Sequence, residues 1–205
     1  MEEPDILLTN DDGIDANGLH ALRRGLSSIG SVTVVAPSED QSASGRTLSM
    51  SVTVREHEQG YVVDGTPVDC VLAGLRSLLP ETDLVVAGCN QGANLGPAVL
   101  GRSGTVSAAV EAAFLGVPAV AVSMYIPPEQ FDGVDPGLDP ADYGSAVDAA
   151  TYLVERAGDI DAFERADYLN VNAPTAARST GEMTVTRPSS VYRMTADREG
   201  ETVNI

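Results

Sequence analysis

The sequence predicts an α/β fold: a Rossmann-like, doubly wound and mostly parallel sheet with a β-hairpin excursion and a C-terminal arm. Strand-like and helix-like segments alternate through the first half of the 205-residue chain, which is the order typical of βαβ units. The strand segments are continuous apolar runs, as expected of parallel strands buried on both faces. Polar, glycine-rich segments follow several of these runs, at the edge where such sheets bind ligands.

The N-terminal part predicts two strands, a helix between them and a hairpin. Residues 5–9 and 31–36 form the apolar runs of the first two strands. Between them, residues 18–29 carry leucine and isoleucine at helical spacing. Residues 47–55 alternate between apolar and polar side chains, and we expect them to pair with residues 61–64 as a hairpin.

The middle of the chain predicts the remaining core elements. Thr66 is a candidate N-cap and Pro67 a candidate first residue of a helix that runs through Leu79. The further predicted helices span residues 103–115 and 142–157, and the further strands span residues 84–87, 117–123 and 168–171. Residues 127–140 are rich in Pro, Gly and Asp and predict a surface loop.

The pattern weakens after Pro174. We predict that residues 184–186 and 191–194 are strands of an extended arm. The chain is therefore divided into a Rossmann-like core at residues 1–175 and an extended arm at residues 176–205.

The strong excess of acidic residues argues against a nucleic-acid duplex as partner and is typical of proteins that work in high salt. Formal net charge is −18, and all 12 residues in the Lys+Arg count are arginine. Acidity spread along a chain without lysine resembles proteins of salt-loving organisms, because the Debye length falls to about 3 Å in 1 M salt and self-repulsion is screened. A nucleic-acid duplex is not an expected partner, since no basic patch is present.

Membrane association is not expected either. No apolar run is long enough to cross a bilayer, and the acidic N-terminus lacks the basic start of a signal peptide. We therefore expect a cytoplasmic protein.

Two adjacent carboxylates, Asp11 and Asp12, follow the first strand. Like charges this close destabilise one another unless a cation lies nearby, and a divalent metal ion would supply that charge and accept oxygen ligands. An Asp-Asp-Gly sequence after a strand is also a common turn, so this pair alone does not decide between the two interpretations.

Three other polar segments belong to the same predicted edge, at residues 37–45, 88–96 and 102–105. In the second, glycines alternate with Asn90 and Asn94, a pattern that suits backbone lying close to a ligand. The third begins a helix, whose free N–H groups can bind an anion, although simple N-capping explains the same residues. Four such segments together favour a metal and phosphate site, and their carboxylate, hydroxyl and amide oxygens favour Mg²⁺ or Mn²⁺ over zinc.

Histidine and cysteine add little to the expected chemistry. His20 lies in the first predicted helix and His57 in the predicted hairpin, and both are expected to be surface residues. Cys70 and Cys89 lack metal-like spacing and are expected to be small buried groups.

Five ordered motifs resemble the SurE family of survival proteins, which are metal-dependent 5′/3′-nucleotidases: ILLTNDDGIDANGL, VVAPSEDQSASG, DGTPVDCV, GCNQGANLG and SGTVSAAVEA. The resemblance covers most of the chain up to about Asn172. It implies hydrolysis of nucleoside monophosphates to nucleoside and phosphate, with some members also acting on short polyphosphate. It further implies a Rossmann-like core and a C-terminal arm that pairs subunits into homodimers or homotetramers.

The resemblance also implies site residues. One divalent metal ion per subunit would be held by Asp11, Asp12, Ser42 and Asn90. Phosphate would lie against Asn94 and the segment Ser103, Gly104 and Thr105.

Two departures from the family pattern are visible. Arg102 stands where the family often carries His or Tyr; it can bind phosphate but cannot donate a proton at neutral pH. The family also usually continues with a further strand and helix beyond the arm.

The mechanism expected from these residues is metal-assisted hydrolysis, in which Asp11 or Asp12 accepts the proton of the attacking water. A haloacid-dehalogenase-like phosphatase is an alternative, but the first acid of its Asp-x-Asp pair would fall on Asn10 and its usual lysine is missing. A Mg²⁺-binding receiver-like signalling domain would need an aspartate where Gly88, Cys89 and Asn90 stand. Dinucleotide-binding and P-loop fingerprints are absent.

Overall fold

The computed structural model describes residues 3–127, 138–157, 160–188, 190 and 195–204. Its strands are β1 (Asp5–Thr9), β2 (Ser31–Pro37), β3 (Val54–His57), β4 (Gly60–Val63), β5 (Leu84–Gln91), β6 (Ala119–Tyr125), β7 (Tyr168–Pro174), β8 (Asp197–Glu199) and β9 (Thr202–Asn204). Its helices are α1 (Asn17–Leu26), α2 (Pro67–Ala73), α3 (Pro97–Leu100), α4 (Gly104–Phe114), α5 (Gly144–Arg156) and α6 (Ala162–Arg165).

The described strands form a seven-stranded sheet in the order β3-β4-β2-β1-β5-β6-β7 and a separate β8-β9 hairpin. Within the large sheet β3 and β4 are antiparallel, whereas all other neighbouring strands are parallel. This confirms the predicted α/β class and the hairpin excursion. The strand order reverses between β1 and β5, and the carboxyl ends at such a reversal are where open α/β sheets bind ligands.

Helices cover both faces of the sheet. Ile6 and Leu8 of β1 pack with α1 and α5, while Leu7 between them packs on the opposite face with α2 and α4. Because successive side chains of a strand point to opposite faces, both faces of β1 must be apolar. The continuous apolar runs of the sequence follow from this arrangement. None of the helices in the described part of the chain combines the length and the apolar character of a membrane span.

The start of α2 agrees with the prediction in detail. Thr66 is the N-cap, its side chain accepts a hydrogen bond from the Asp69 amide, and Pro67 follows at the first helical position. The helical segment also ends near the predicted Leu79, but its last part is not α-helical, because α2 continues from Ala73 into a π-helical turn, Gly74–Leu78. A side chain at Gly74 would meet Leu7, with a Cβ only 2.2 Å from Leu7 Cδ1, so the helix passes very close to β1 here.

The predicted hairpin is shifted toward its turn. Strand β3 begins at Val54, and residues 47–53 are not a strand although they alternate in polarity. Hydrogen bonds explain the difference: the amide and the hydroxyl of Ser49 both donate to the Asp69 carboxylate, at 2.8 Å each. This segment is therefore tied to the start of α2 and does not pair along β4.

The C-terminal region differs most from the prediction. Residues 184–186 are not a strand, and Val185 is fully exposed, so the prediction for this segment was wrong. Residues 191–194 lie outside the described residues, as do residues 128–137 of the predicted surface loop. The β8-β9 hairpin and the short helices α3 and α6 were not predicted.

Candidate metal and phosphate site

The loops that follow β1 and β2 are joined by main-chain hydrogen bonds. The Gln41 amide donates to the Asp11 carbonyl at 2.7 Å, and the Ile14 amide donates to the Pro37 carbonyl at 2.9 Å. Gly13 turns the first loop with a φ of +98°, which glycine adopts readily. Ser42 is the residue after Gln41, so these bonds bring the predicted Ser42 ligand into the neighbourhood of Asp11.

Asp11 lies against the N-terminus of α4. Its Oδ1 accepts a hydrogen bond of 2.5 Å from the Thr105 hydroxyl. A Cβ on Gly104 would lie 2.8 Å from Asp11 Cβ and 2.9 Å from its Oδ2, so only glycine allows this approach. The positive end of a helix stabilises a carboxylate in this position, and the structure thus joins three of the predicted site residues.

Burial opposes the charge on Asp11. The side chain is only 3% exposed, and desolvation raises the pKa of its carboxyl above the ordinary value of 3.8 despite hydrogen bonds from Thr105. The negative charge of Asp40 acts in the same direction. An ionised carboxylate with this environment is destabilised, and a divalent cation beside it would restore the ionised form.

The carboxyl end of β5 brings Asn90 into the area of Asp12, which lies in the loop after β1. Asn90 Nδ2 donates to the Gly92 carbonyl at 2.6 Å, so the nitrogen end of this carboxamide is engaged within the loop and the oxygen is its ligand-type atom. Burial, and then the negative charge of Asp12, raise the pKa of the Cys89 thiol. That influence places Asp12 near Cys89, the neighbour of Asn90.

Gly88 allows β5 to lie unusually close to β6. Its φ is +141°, and a Cβ at this position would lie 2.2 Å from the Val122 carbonyl oxygen. The register between the two strands shifts between Ala87 and Asn90. The glycine therefore sets the path by which the chain reaches Asn90.

Asn94 is held by three side chains from β6 and β7. Its side-chain Nδ2 donates to Ser123 Oγ at 2.8 Å, and its main-chain amide donates to Asn172 Oδ1 at 2.7 Å. Its carbonyl accepts from Asn170 Nδ2 at 2.9 Å and from Asn172 Nδ2 at 3.3 Å. Asn172 thus pairs with both main-chain groups of Asn94, as a neighbouring strand would.

The sequence interpretation missed Asn170 and Asn172. A usable signal was present, because two carboxamides two residues apart interrupt an otherwise apolar strand and lie on one face. Carboxamides at the carboxyl end of a core strand, beside a predicted site, indicate a supporting role for its loops.

Ser103 and Arg102 lie at the start of α4. Ser103 is the N-cap, and its Oγ accepts a hydrogen bond of 3.1 Å from the Val106 amide. The Arg102 carbonyl accepts from the Gly45 amide at 3.0 Å, which ties the loop after β2 to this helix. Arg102 itself is exposed.

The histidines and cysteines are not among the predicted ligands, although Cys89 adjoins Asn90. His20 Nε2 lies 3.2 Å from the Ile14 carbonyl and 3.0 Å from Gln59 Nε2, and His57 lies in β3. Cys70 and Cys89 are buried free thiols, and burial raises the pKa of each.

The donor set fits a hard divalent cation. Among the described residues no three His, Cys, Asp or Glu side chains form a metal-binding group. Two carboxylates with a hydroxyl and a carboxamide oxygen, from Asp11, Asp12, Ser42 and Asn90, are ligands suited to Mg²⁺ or Mn²⁺. Asn10 Oδ1 is also buried without a hydrogen-bond partner in the described structure, and an incoming water or ligand would satisfy such an atom.

Comparison with known proteins reveals relatives along the whole chain. Proteins named 5′-nucleotidase SurE from Haloarcula marismortui and Halobacterium salinarum are 59% and 60% identical over 100% of this chain, which spans 77% and 78% of their lengths. A relative with the same name from Haloquadratum walsbyi is 56% identical over 97% of this chain and 76% of its own length. Similarity to proteins of halophilic archaea confirms the expectation drawn from the acidic, lysine-free composition.

A solved structure and a family model agree with these relatives. The SurE protein from Aquifex aeolicus superposes with a TM-score of 0.68 at 35% identity, covering 84% of this chain and 66% of that chain. The family model described as Survival protein SurE matches residues 6–195. The fold, the ordered motifs and these matches together establish that the chain belongs to the SurE family.

Proposed function

We propose that the protein is a metal-dependent phosphomonoesterase that hydrolyses nucleoside 5′-monophosphates, and 3′-monophosphates as well, to nucleoside and phosphate. The observation that carries the proposal is the buried Asp11 carboxylate, held by Thr105 at the N-terminus of α4 with its pKa raised by burial. Titratable groups with such environments concentrate at functional sites. The 5′-nucleotidase name of the SurE relatives supports the same activity.

Asp11, Asp12, Ser42 and Asn90 would hold one Mg²⁺ or Mn²⁺ ion per subunit. When bound, such an ion supplies positive charge to phosphate oxygens and lowers the pKa of a water molecule. At the metal site the protein itself would hold the two carboxylates close together. It would also fix the orientation of the Asn90 carboxamide, through the hydrogen bond from its Nδ2 to the Gly92 carbonyl.

The start of α4 would bind the phosphate group. Free N–H groups at a helix N-terminus favour an anion, and Ser103 adds a hydroxyl group beside the Gly104 backbone. Thr105 would act beside the phosphate by holding Asp11, since its hydroxyl hydrogen is donated to that carboxylate. Arg102 would add a permanent positive charge, which matters in a protein with a net charge of −18. Asn94 Nδ2 uses one hydrogen on Ser123, which leaves a second hydrogen for phosphate.

Proton transfer would involve the two aspartates. In the proposed reaction water attacks phosphorus, the bond to the nucleoside oxygen breaks, and Asp11 or Asp12 accepts the proton of the water. Arg102 cannot protonate the leaving oxygen, because a guanidinium stays charged at neutral pH. The leaving group would therefore take its proton from solvent or from the protonated aspartate.

We further propose that residues 176–205 form an arm that joins subunits into a homodimer or homotetramer. Exposed apolar side chains in this part of the chain support an interface, since Met183, Val185 and Val203 are each at least half exposed. Sedimentation of the protein with and without this segment would test the arm.

Phosphate release from a panel of nucleoside monophosphates tests the activity. We expect release with Mg²⁺ or Mn²⁺ and no release with chelator, in molar salt. Activity that is indifferent to chelator would contradict the metal proposal, and a trapped aspartyl-phosphate would favour the dehalogenase-like alternative. The same panel at low salt measures how strongly the activity depends on a high salt concentration.

A further inference from the structure

A cleft of about 410 Å³ opens beside the loop that carries Asn94. This volume falls within the range of about 300–1,000 Å³ that is typical of small-molecule sites. The residues that line it and bear on its chemistry are Leu95, Leu100, Tyr168, Asn170, Asn172 and Thr186. The cleft therefore lies between the loop after β5, the start of β7 and the segment that follows β7.

The cleft adjoins the phosphate end of the proposed site. Asn94 belongs to both, since it lines the cleft and lies in the phosphate-proximal loop. Leu100, on the wall of the cleft, lies inside the turn that leads to the phosphate end of the site. The Arg102 and Ser103 amides both donate to the Val99 carbonyl at 2.9 Å and close this turn. One short turn thus leads from the wall of the cleft to the N-cap of α4.

The chemistry of the cleft suits an uncharged, planar and partly polar group. Asp167 is the one charged side chain among the residues that line it, although the chain as a whole carries a net charge of −18. Leu95, Leu100 and Tyr168 offer apolar and aromatic contact, on which nucleobases and sugars pack. Asn170 uses its Nδ2 on the Asn94 carbonyl, and its carboxamide oxygen can accept from the donor edge of a nucleobase.

We propose that this cleft binds the nucleoside part of the substrate, with its sugar toward Leu100 and its base between Tyr168 and Thr186. The proposal rests on the proposed nucleotidase function and adds to it a site for the leaving nucleoside. It also assigns substrate recognition to β7 and to the segment 182–188, which supply none of the proposed metal or phosphate ligands.

Filling the cleft tests the proposal. Thr186 is exposed and lies on one wall, and Asp167 is exposed and lies on another, so Thr186→Trp and Asp167→Trp fill the cleft from two independent sides. Glu182→Trp is a matched control, since Glu182 is exposed in the same segment as Thr186 but does not line the cleft. Each variant is assayed with AMP, UMP and ribose 5-phosphate, which keeps the sugar phosphate but lacks a base.

We expect both filling variants to lower kcat/KM for AMP and UMP at least about tenfold, chiefly through KM. The change for ribose 5-phosphate is expected to stay within about twofold, and Glu182→Trp is expected to leave all three substrates unaffected. An equal loss on all three substrates in the filling variants, or no loss on AMP, would overturn the proposal.

Binding of adenosine separates this inference from the proposed function. Adenosine carries no phosphate, so equilibrium dialysis in molar salt measures the cleft without the reaction. If the wild-type protein hydrolyses no phosphomonoester, the proposed function is wrong. If the wild-type protein does not bind adenosine, or Thr186→Trp binds it as well as the wild type, the cleft assignment is wrong.

Discussion

Asp11 and Asp69 are buried to the same extent, at 3% exposure each, but the protein supplies them with different partners. Asp69 accepts three hydrogen bonds of 2.8 Å, from the amide and hydroxyl of Ser49 and from the amide of Thr66. Asp11 also accepts hydrogen bonds, from the hydroxyl of Thr105 on Oδ1 and from the main chain of Thr105 and of Asp11 itself. Burial, and then the charge of Asp40, nevertheless raise the pKa of its carboxyl.

The difference separates a structural carboxylate from one kept ready for a ligand. Three donors from the protein satisfy Asp69, and one of them, the Thr66 amide, belongs to a capping box at the start of α2. Burial destabilises the ionised form of Asp11, and the hydrogen bonds from the protein do not fully offset this desolvation. Such a carboxylate is expected where a bound cation or substrate supplies the missing interactions. Substitutions that remove each charge without changing its shape should therefore have opposite consequences.

The largest expected effect comes from Asp11→Asn. This change keeps an acceptor for the Thr105 hydroxyl but removes the charge that would hold the metal ion. We expect the metal-dependent kcat/KM to fall about 1,000-fold, equivalent to about 4 kcal/mol of transition-state stabilisation. The free energy of unfolding without metal should stay level or rise, because a desolvated charge is removed.

Phosphate release with a saturating metal concentration and chemical denaturation with chelator measure these two outcomes. Full metal-dependent activity in Asp11→Asn would show that Asp11 is not a metal ligand. A large loss of stability in the same variant would show that Asp11, like Asp69, is a structural group.

Asp69→Asn should produce the reverse pattern. One carboxamide oxygen cannot serve all three donors, so at least one buried donor loses its partner. We expect the free energy of unfolding to fall by about 2–3 kcal/mol. Activity per folded molecule should remain, since the contacts of Asp69 lie at Ser49 and Thr66 and not at the proposed site.

Urea denaturation in molar salt measures this loss, with Ser49→Ala as a graded control that removes only the hydroxyl donor. That control should cost less than Asp69→Asn, because the Ser49 amide still donates. If Asp69→Asn unfolds at the same denaturant concentration as the wild type, the three hydrogen bonds do not stabilise the start of α2.

Much of the fold was predictable from local pattern. Strand β1 matches its predicted bounds, and the N-cap at Thr66 was identified correctly, because apolar runs and capping residues act through neighbours in sequence. Residues 47–53 were misassigned because their conformation depends on Asp69, which lies about twenty residues away. Polarity alternation alone does not reveal such a tertiary contact.

The candidate site divides in a similar way. The structure joins Asp11, Gly104 and Thr105 directly, and these residues were predicted from their positions at strand and helix ends. The support given by Asn170 and Asn172 was not predicted, since it depends on β7 lying beside β6 at the same edge. The ligand roles of Ser42 and Asn90 remain predictions.

Asn172→Ala tests that support. The change removes two hydrogen bonds from the main chain of Asn94 and loosens the loop that follows Asn90. We expect the metal concentration for half-maximal activity to rise about tenfold, as is typical of residues that orient metal ligands. Asn170→Ala removes one hydrogen bond and should have a smaller effect. Equal metal requirements in both variants and the wild type would show that β7 does not position this loop.

Asp64 completes the series as an exposed carboxylate and should matter least. The Arg55 guanidinium donates two hydrogen bonds to it, at 2.5 Å and 2.7 Å, and with Ser38 it lowers the Asp64 pKa from 3.8 to about 2. Because the folded pKa is lowered, the pair stabilises the protein above pH 3.8 and loses this contribution as the pH falls through about 2.

Asp64→Asn isolates this contribution, and its thermal midpoint should be compared with that of the wild type in molar salt, where removal of one charge from an acidic chain has little general effect. We expect the wild type to be slightly more stable at about pH 5 and the two proteins to converge at about pH 2. Exposed ion pairs are weak because water and salt screen them. A midpoint difference as large as that of Asp69→Asn would mean that partner geometry, and not burial, decides how much a carboxylate contributes in this fold.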